Sequence, residues 1–309
     1  MKILLIGLGS IGRRHLNTLK SIGGLDLAAL RTLKGALTKP EPQVKEFFDL
    51  KDALAFRPNG VIISNPTSLH ISSAIDFLKT GIKVLIEKPI SNTIKEAQEL
   101  ESFQDNLRVA YCFRFLPVYQ KLEEVIREEK PFKIGFKRSY FLPKWHPYTD
   151  YRREYVAQKT LGGGVLRTLS HEIDLAVKWF GEPQSVNGIT DKVSFLEMNT
   201  DDYAFLSLKT AGGSRVNYEL DLFSPVSINH GEMYTSKGRY HWDIHQIRFQ
   251  SYVKEKDEAY YTSEDSAIET MYLEQMKDFV SFLKTGDSAN ATYQEAVQTM
   301  RIIETIEKY

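Results

Sequence analysis

Short apolar runs alternate with segments of helical spacing through the first third of the chain. Lys2 to Ile6, Asp26 to Leu30, Val61 to Ser64, Lys83 to Ile86 and Leu107 to Tyr111 read as strands buried on both faces. Between them, Ile11 to Ile22, Ser68 to Thr80 and Thr93 to Phe103 carry apolar residues at helical intervals. Such strands separated by helices predict a parallel, doubly wound sheet. After a further helix over Val118 to Arg127, the pattern lengthens into alternating segments: Lys133 to Leu142, Tyr203 to Leu208, Arg215 to Leu222 and Val226 to Thr235. These predict a mainly antiparallel open sheet. Helices over Thr270 to Leu283 and Tyr293 to Glu307 close the chain around a turn at Thr285-Gly286-Asp287. The expected fold class is α/β followed by α+β, with a boundary near Phe115 that separates domains 1–115 and 116–309.

Composition narrows the function classes. A chain of 309 residues with 42% hydrophobic content fills two cores, and 40 Lys and Arg balance 40 Asp and Glu. No whole-protein field gathers nucleic acid or an anionic membrane, although a local basic patch is left open. The single cysteine, Cys112, rules out an intramolecular disulfide and any multi-thiolate metal site, as in a reducing compartment. Met1 to Ile6 begins like a signal peptide, but Gly7, Gly9, Gly12 and then Arg13-Arg14 interrupt the run, which reads as a buried strand. No stretch approaches the roughly 18 apolar residues of a membrane span. The expectation is a soluble, cytoplasmic protein without a catalytic metal, because His230, His241 and His245 are too scattered to form a site.

Gly7-Leu8-Gly9-Ser10-Ile11-Gly12 follows the first strand and opens the first helix, the context that gives this glycine pattern meaning. Gly7 permits the tight turn, Gly9 lets backbone approach a pyrophosphate, and Gly12 allows close helix–strand packing. This is the Rossmann fingerprint for a nicotinamide dinucleotide; the alternative is a glycine-rich turn without a ligand. A strand favouring NAD usually ends in a carboxylate, but here it runs into Arg31-Thr32. Arg31 and Thr32 suit a 2′-phosphate, with Lys34 as a helper, so NADP(H) is favoured and NAD(H) stays open. Arg31 as a solvated surface cation is the competing reading.

Three further segments complete a resemblance to the glucose-fructose oxidoreductase and inositol dehydrogenase family. They are Asn65-Pro66-Thr67-Ser68-Leu69-His70, Glu87-Lys88-Pro89, and Gly162-Gly163-Gly164-Val165-Leu166 leading to His171 and Asp174. The resemblance covers nearly the whole chain. It implies that Asn65, Pro66, Thr67, His70, Glu87 and Lys88 join the glycine turn in holding the cofactor. It also implies that Lys88 lies between nicotinamide and substrate, where its ammonium stabilises developing alkoxide charge. His171 is the candidate for proton transfer, its unperturbed pKa being near neutral, and Asp174 at helical spacing is placed to orient or charge the ring. A lone helical histidine with a structural role is the bland alternative. In the most familiar version of this motif an aspartate precedes the catalytic histidine by four positions. Counting forward from the glycines puts Thr168 and Glu172 at those two places, which makes Glu172 the fallback acid or base.

The segment from Tyr140 to Tyr155, which includes Trp145, His146, Pro147, Tyr148, Tyr151, Arg152 and Arg153, is dense in aromatics and cations. Aromatic faces stack on sugar rings and cations engage carboxylate or phosphate, so Trp145, Tyr151 and Arg152 suit an acidic or nucleotide-linked sugar. A surface lid or a subunit contact is the equal alternative. Arg114 and Tyr119 are second-rank candidates for the substrate cleft. Three functions compete: a sugar dehydrogenase that releases its nicotinamide, an enzyme that keeps it bound during elimination, hydrolysis or epimerisation, and a non-catalytic dinucleotide sensor. Phe205, Leu206, Leu220 and Leu222 place apolar residues on both phases of the second sheet, which predicts a homodimer or homotetramer.

Overall fold

A computed structural model describes residues 1–32, 39–145, 149–253, 257–264 and 266–307. Lys34, His146, Pro147 and Tyr148 lie outside the described residues. The chain divides into two compact units, Met1–Cys112 with Tyr272–Val297, and Phe113–Met271 with Gln298–Tyr309.

The first unit begins with β1 (Lys2–Ile6), α1 (Ser10–Ile22), β2 (Asp26–Leu30), β3 (Lys45–Phe47) and α2 (Leu50–Ala55). It continues with β4 (Gly60–Ile63), α3 (His70–Leu78), β5 (Lys83–Glu87), α4 (Ile94–Ala97) and β6 (Leu107–Ala110). The six strands form a parallel sheet in the order β3-β2-β1-β4-β5-β6. Ile3, Leu4, Leu5, Val61, Ile62 and Ile63 are fully buried, which is why these strands read as unbroken apolar runs. Strand order reverses between β1 and β4, so a crevice opens at their carboxyl ends. Two pieces differ from the sequence pattern. The helix expected over Thr93 to Phe103 is α4 followed by 3-10 turns over Gln98–Asn106, because Ile94, Ala97, Leu100 and Phe103 recur every third residue. The elements β3 and α2 are too short to show a period.

The second unit contains α5 (Pro117–Glu129), β7 (Lys133–Phe141), α6 (Leu142–Trp145), α7 (Val165–Thr168), α8 (His171–Phe180), β8 (Ser185–Asp191) and β9 (Tyr203–Lys209). Then come β10 (Arg215–Asp221), β11 (Phe223–Tyr234), β12 (Gly238–Asp243), β13 (Gln246–Ser251) and β14 (Asp257–Thr262). Its eight strands run in the order β14-β13-β12-β11-β7-β10-β9-β8, antiparallel except where β7 meets β10. One face packs aromatic rings: Phe136 stacks on Tyr218 and Trp179, with Trp242 edge-on and Tyr119 tilted beside it. The other exposes Ile189 and Phe205 beside the ion pairs Lys137–Glu219 and Lys133–Glu232.

The helices α9 (Ala267–Thr285) and α10 (Tyr293–Glu307) are each divided between the units. Met276, Phe279 and Phe282 of α9 are buried in the cluster around Ile62 and Leu85, and Ala291 exchanges backbone hydrogen bonds of 2.8 and 3.2 Å with Val109. The alternating pattern assigns residues 272–297 to the second half of the chain, whereas their apolar side chains fill the parallel-sheet core. No helix of the described residues is long and apolar enough to cross a membrane.

Candidate active-site residues in each unit

The glycine turn sits at the crevice. Register pairs Ile6 with Ile63, which brings Gly7 beside Ser64 and Asn65. Ser64 closes this junction: its N–H donates to the Ile6 carbonyl at 2.9 Å and its hydroxyl to the Gly7 carbonyl at 2.9 Å. Gly7 has φ +90°, and a Cβ on Gly12 would stand 2.2 Å from the Gly7 oxygen, so helix and turn meet at a distance that only glycine allows. At Gly9, by contrast, a Cβ would meet nothing within 4 Å. Gly9 caps α1 with no side-chain hydrogen bond, Ser10 is exposed, Ile11 half-buried, and the first turn has no acidic residue. The result is an open cradle of backbone N–H groups under positive helix-terminal potential, which fits a pyrophosphate.

Arg31 follows β2 but is no solvated cation. It is 4% exposed, its Nη1 lies 2.5 Å from Glu46 Oε1, and the same nitrogen donates to the Lys39 carbonyl at 3.0 Å. Glu46 comes from β3, a strand absent from the sequence pattern. Thr32 is exposed.

A second set of contacts fixes the turn after β5. The His70 ring lies 2.9 Å from the Pro89 carbonyl through Nδ1 and 3.0 Å from the Asn65 carbonyl through Nε2, tying together the loops that follow β4 and β5. Burial pushes the His70 imidazole below its ordinary value despite these acceptors. Asn65 Nδ2 donates to Ser73 at 2.7 Å, Thr67 is buried, and Pro66 is exposed. Glu87 Oε1 is 2.6 Å from Nε2 of the fully buried His15 of α1, while Oε2 accepts from the Lys88 N–H at 3.1 Å. Lys88 therefore leaves the end of β5 from a turn held by His15, Glu87 and His70, and its bond to Pro89 is cis. His15 is a member of this set that the sequence reading missed.

In the second unit the candidate residues gather around α8. His171 stacks on Phe113 with ring centroids 4.4 Å apart, and the Arg138 guanidinium is 4.5 Å from the centre of the same Phe113 ring. Arg138 also donates to Glu172 Oε1 at 3.1 Å and hydrogen-bonds the Tyr140 hydroxyl; Tyr140 stacks on Trp145 at 5.3 Å. His171 is half-buried, whereas Glu172 is 1% exposed. The Arg138 signal was present in the sequence: Ile134, Phe136 and Arg138 occupy the buried phase of β7, and a charge on a buried phase needs a partner.

Asp174 is held in a fork. Its Oδ2 accepts from Arg114 Nε at 2.8 Å and its Oδ1 from Arg114 Nη2 at 2.7 Å, with both side chains buried. Tyr119 donates to Asn229 at 3.1 Å, and burial raises its phenol well above the ordinary value. Thr168 is buried at the end of α7. The glycine run before α7 is a packing device: a Cβ on Gly163 would stand 2.2 Å from the Tyr155 carbonyl oxygen. Tyr151 and Arg152 lie in a short 3-10 turn against the Glu197 loop. The Tyr151 hydroxyl accepts from the Glu197 N–H at 3.0 Å, and exposed Arg152 pairs with Asp150 at 2.9 Å and Glu197 at 3.2 Å. Among the described residues no cluster of three or more His, Cys, Asp and Glu side chains forms a metal site.

Residues 1–113 match the family model described as oxidoreductase family, NAD-binding Rossmann fold, and residues 119–241 match the GFO/IDH/MocA C-terminal domain. The chain belongs to the GFO/IDH/MocA family. This is the family whose glycine, Asn-Pro and Glu-Lys-Pro segments the sequence resembles. Rhizopine catabolism protein MocA of Rhizobium meliloti is 24% identical over 200 residues, which cover 62% of this chain and 61% of that protein. The matches span 32% to 61% of the length of the first three curated relatives. UDP-N-acetylglucosamine 3-dehydrogenase GnnA from Acidithiobacillus ferrooxidans has a TM-score of 0.80 at 19% identity, covering 99% of this chain and 96% of that one. The WlbA dehydrogenase from Bordetella pertussis, in complex with NADH and UDP-GlcNAcA, has a TM-score of 0.80 at 18% identity, covering 100% and 94%. Likeness at this level is a shared fold.

Proposed function

We propose that this family member is an NAD(P)-dependent oxidoreductase that moves a hydride between the nicotinamide and a secondary alcohol or ketone of an acidic or nucleotide-linked sugar. The observation that carries the reading is the open glycine cradle at the strand-order reversal, in the same unit as a lysine turn fixed at the end of β5. Gly7, Gly9, Ser10, Ile11 and Gly12 receive the pyrophosphate; Arg31 and Thr32 meet the adenosine ribose; Asn65, Pro66, Thr67, His70, Glu87 and Lys88 border the nicotinamide end. The bound dinucleotide supplies the hydride donor or acceptor.

The chain's own residues manage charge and proton. The Lys88 ammonium donates to the reacting oxygen and stabilises alkoxide charge there. His171 takes the hydroxyl proton, or returns it in the reductive direction. Its stack on Phe113 sets the ring plane, and the Arg114 fork on Asp174 fixes the start of α8 that carries it. Trp145, Tyr151 and the exposed Arg152 form the substrate side, while Arg114, buried and forked on Asp174, serves it by holding α8. The nucleotide-sugar class is supported by the name of GnnA and the UDP-GlcNAcA bound to WlbA, together with the aromatic rings of Trp145 and Tyr151. A cytoplasmic location is supported by the chain's use of a single cysteine, Cys112. A second copy covering the exposed Ile189 and Phe205 face makes the chain a homodimer or homotetramer, which light scattering of the purified chain measures.

The test incubates the protein with NAD+ or NADP+ and a panel of UDP-hexoses, UDP-hexuronic acids, free hexoses and inositols, following reduced nicotinamide by absorbance. Turnover with a sugar and its loss in Lys88→Met support the reading. No turnover and no exchange of label between any sugar and the cofactor overturn it.

A further inference from the structure

The pair that closes the end of β2 bears on cofactor choice. Strand β3 runs parallel to β2 with Glu46 opposite Ala29 and Phe47 opposite Leu30. Side chains alternate across a sheet, so Ala29, Arg31 and Glu46 share one face, and the Arg31 N–H donates to the Phe47 carbonyl at 2.9 Å to hold that register. Glu46 Oε1 accepts from Arg31 Nη1 at 2.5 Å and from the Glu41 N–H at 2.9 Å. Glu41 in turn pairs with Arg13 and, at 3.2 Å, with Lys20, both from α1. Arg31, Arg13 and Lys20 thus each have a carboxylate.

We infer that Glu46 sets the choice between the two dinucleotides, favouring NAD(H) by neutralising Arg31. The inference rests on the reading that a dinucleotide binds at the glycine turn. The adenosine ribose of a Rossmann cofactor is met at the end of the second strand, and the NAD-selective device there is normally a carboxylate on that strand. Here the strand ends in Arg31, and the carboxylate arrives 15 residues later from the neighbouring strand. A 2′-phosphate would bring about −1.5 to −2 charges to a place where the arginine already has a counter-ion. Turning the guanidinium to that phosphate would leave a half-buried carboxylate, 12% exposed, without its cation. A ribose 2′-hydroxyl makes no such demand and donates to a carboxylate. The lean towards NADP(H) that Arg31 suggests as a bare residue is therefore reversed by its partner.

Dissociation constants for NADH and NADPH, read by nicotinamide fluorescence, test this in the whole chain. Wild type should bind NADH more tightly than NADPH. Glu46→Gln, which keeps the side-chain shape and an acceptor oxygen, should tighten NADPH about tenfold or more while changing NADH less than about threefold. Adding Arg31→Met to it should remove that gain. Glu46→Ala, an independent variant if Glu46→Gln unfolds, should shift the NADPH-to-NADH affinity ratio in the same direction, because it too leaves the Arg31 charge uncompensated. A wild-type preference for NADPH, or an unchanged ratio in whichever of the two Glu46 variants folds, overturns the role of Glu46. Failure of the folded wild-type chain to bind either nucleotide overturns the dinucleotide reading itself.

Discussion

Asp174→Ala separates a residue that acts on the reacting proton from one that holds an arginine. In the folded chain the Asp174 carboxylate is wholly buried, the Arg114 side chain is 2% exposed, and two charge-assisted hydrogen bonds of 2.8 and 2.7 Å join them. Truncating the carboxylate leaves a buried guanidinium uncompensated, which costs about 3–5 kcal/mol. For a unit of this size that lowers the melting temperature by roughly 6–20 °C. Replacing both charges, with Asp174→Leu and Arg114→Met, should restore most of the loss because no ion is left unpaired. Trp145, Trp179 and Trp242 all lie in the second unit, so tryptophan fluorescence during thermal unfolding reports the unit in question. A single variant melting within about 2 °C of wild type, with turnover abolished, would refute the structural account and return Asp174 to the proton path.

Three other outcomes follow from the geometry. Gly12→Ala forces a methyl to 2.2 Å from the Gly7 oxygen, so calorimetry should find the unit destabilised by about 1–3 kcal/mol and NADH binding weakened at least about tenfold. His171→Gln should lower kcat about 10²-fold or more while NADH affinity, measured by fluorescence, changes less than about threefold. Burial holds the folded His70 pKa below its ordinary 6.5, so the unfolded chain takes up that proton first as pH falls. Its contribution to stability is full above 6.5 and is lost as pH drops from there towards the folded value; urea unfolding at pH about 7.5 and about 5 should show a smaller decline for His70→Gln than for wild type.

How much was legible depended on whether the deciding contact was local. Strands β1 and β2 could be read to the residue because both faces are buried and the apolar run is continuous. The glycine turn was equally plain, since strand, turn and helix are consecutive. Strand β3, with three residues, has no period, and without it Arg31 looked like a bare cation. His15 pairs with Glu87 across 72 positions and Arg138 with Glu172 across 34, distances that no local pattern spans. Phe279 and Phe282 gave no indication of which sheet they pack on, because an apolar helix stripe specifies burial and not a partner.

Hydrogen–deuterium exchange of the intact chain with and without saturating NADH tests the central claim, a dinucleotide held at the glycine turn. The account predicts slowed exchange at the amides of residues 7–13, 65–70 and 87–90, with α10 unchanged. Binding that protects other segments and leaves residues 7–13 exchanging at the free rate would contradict it.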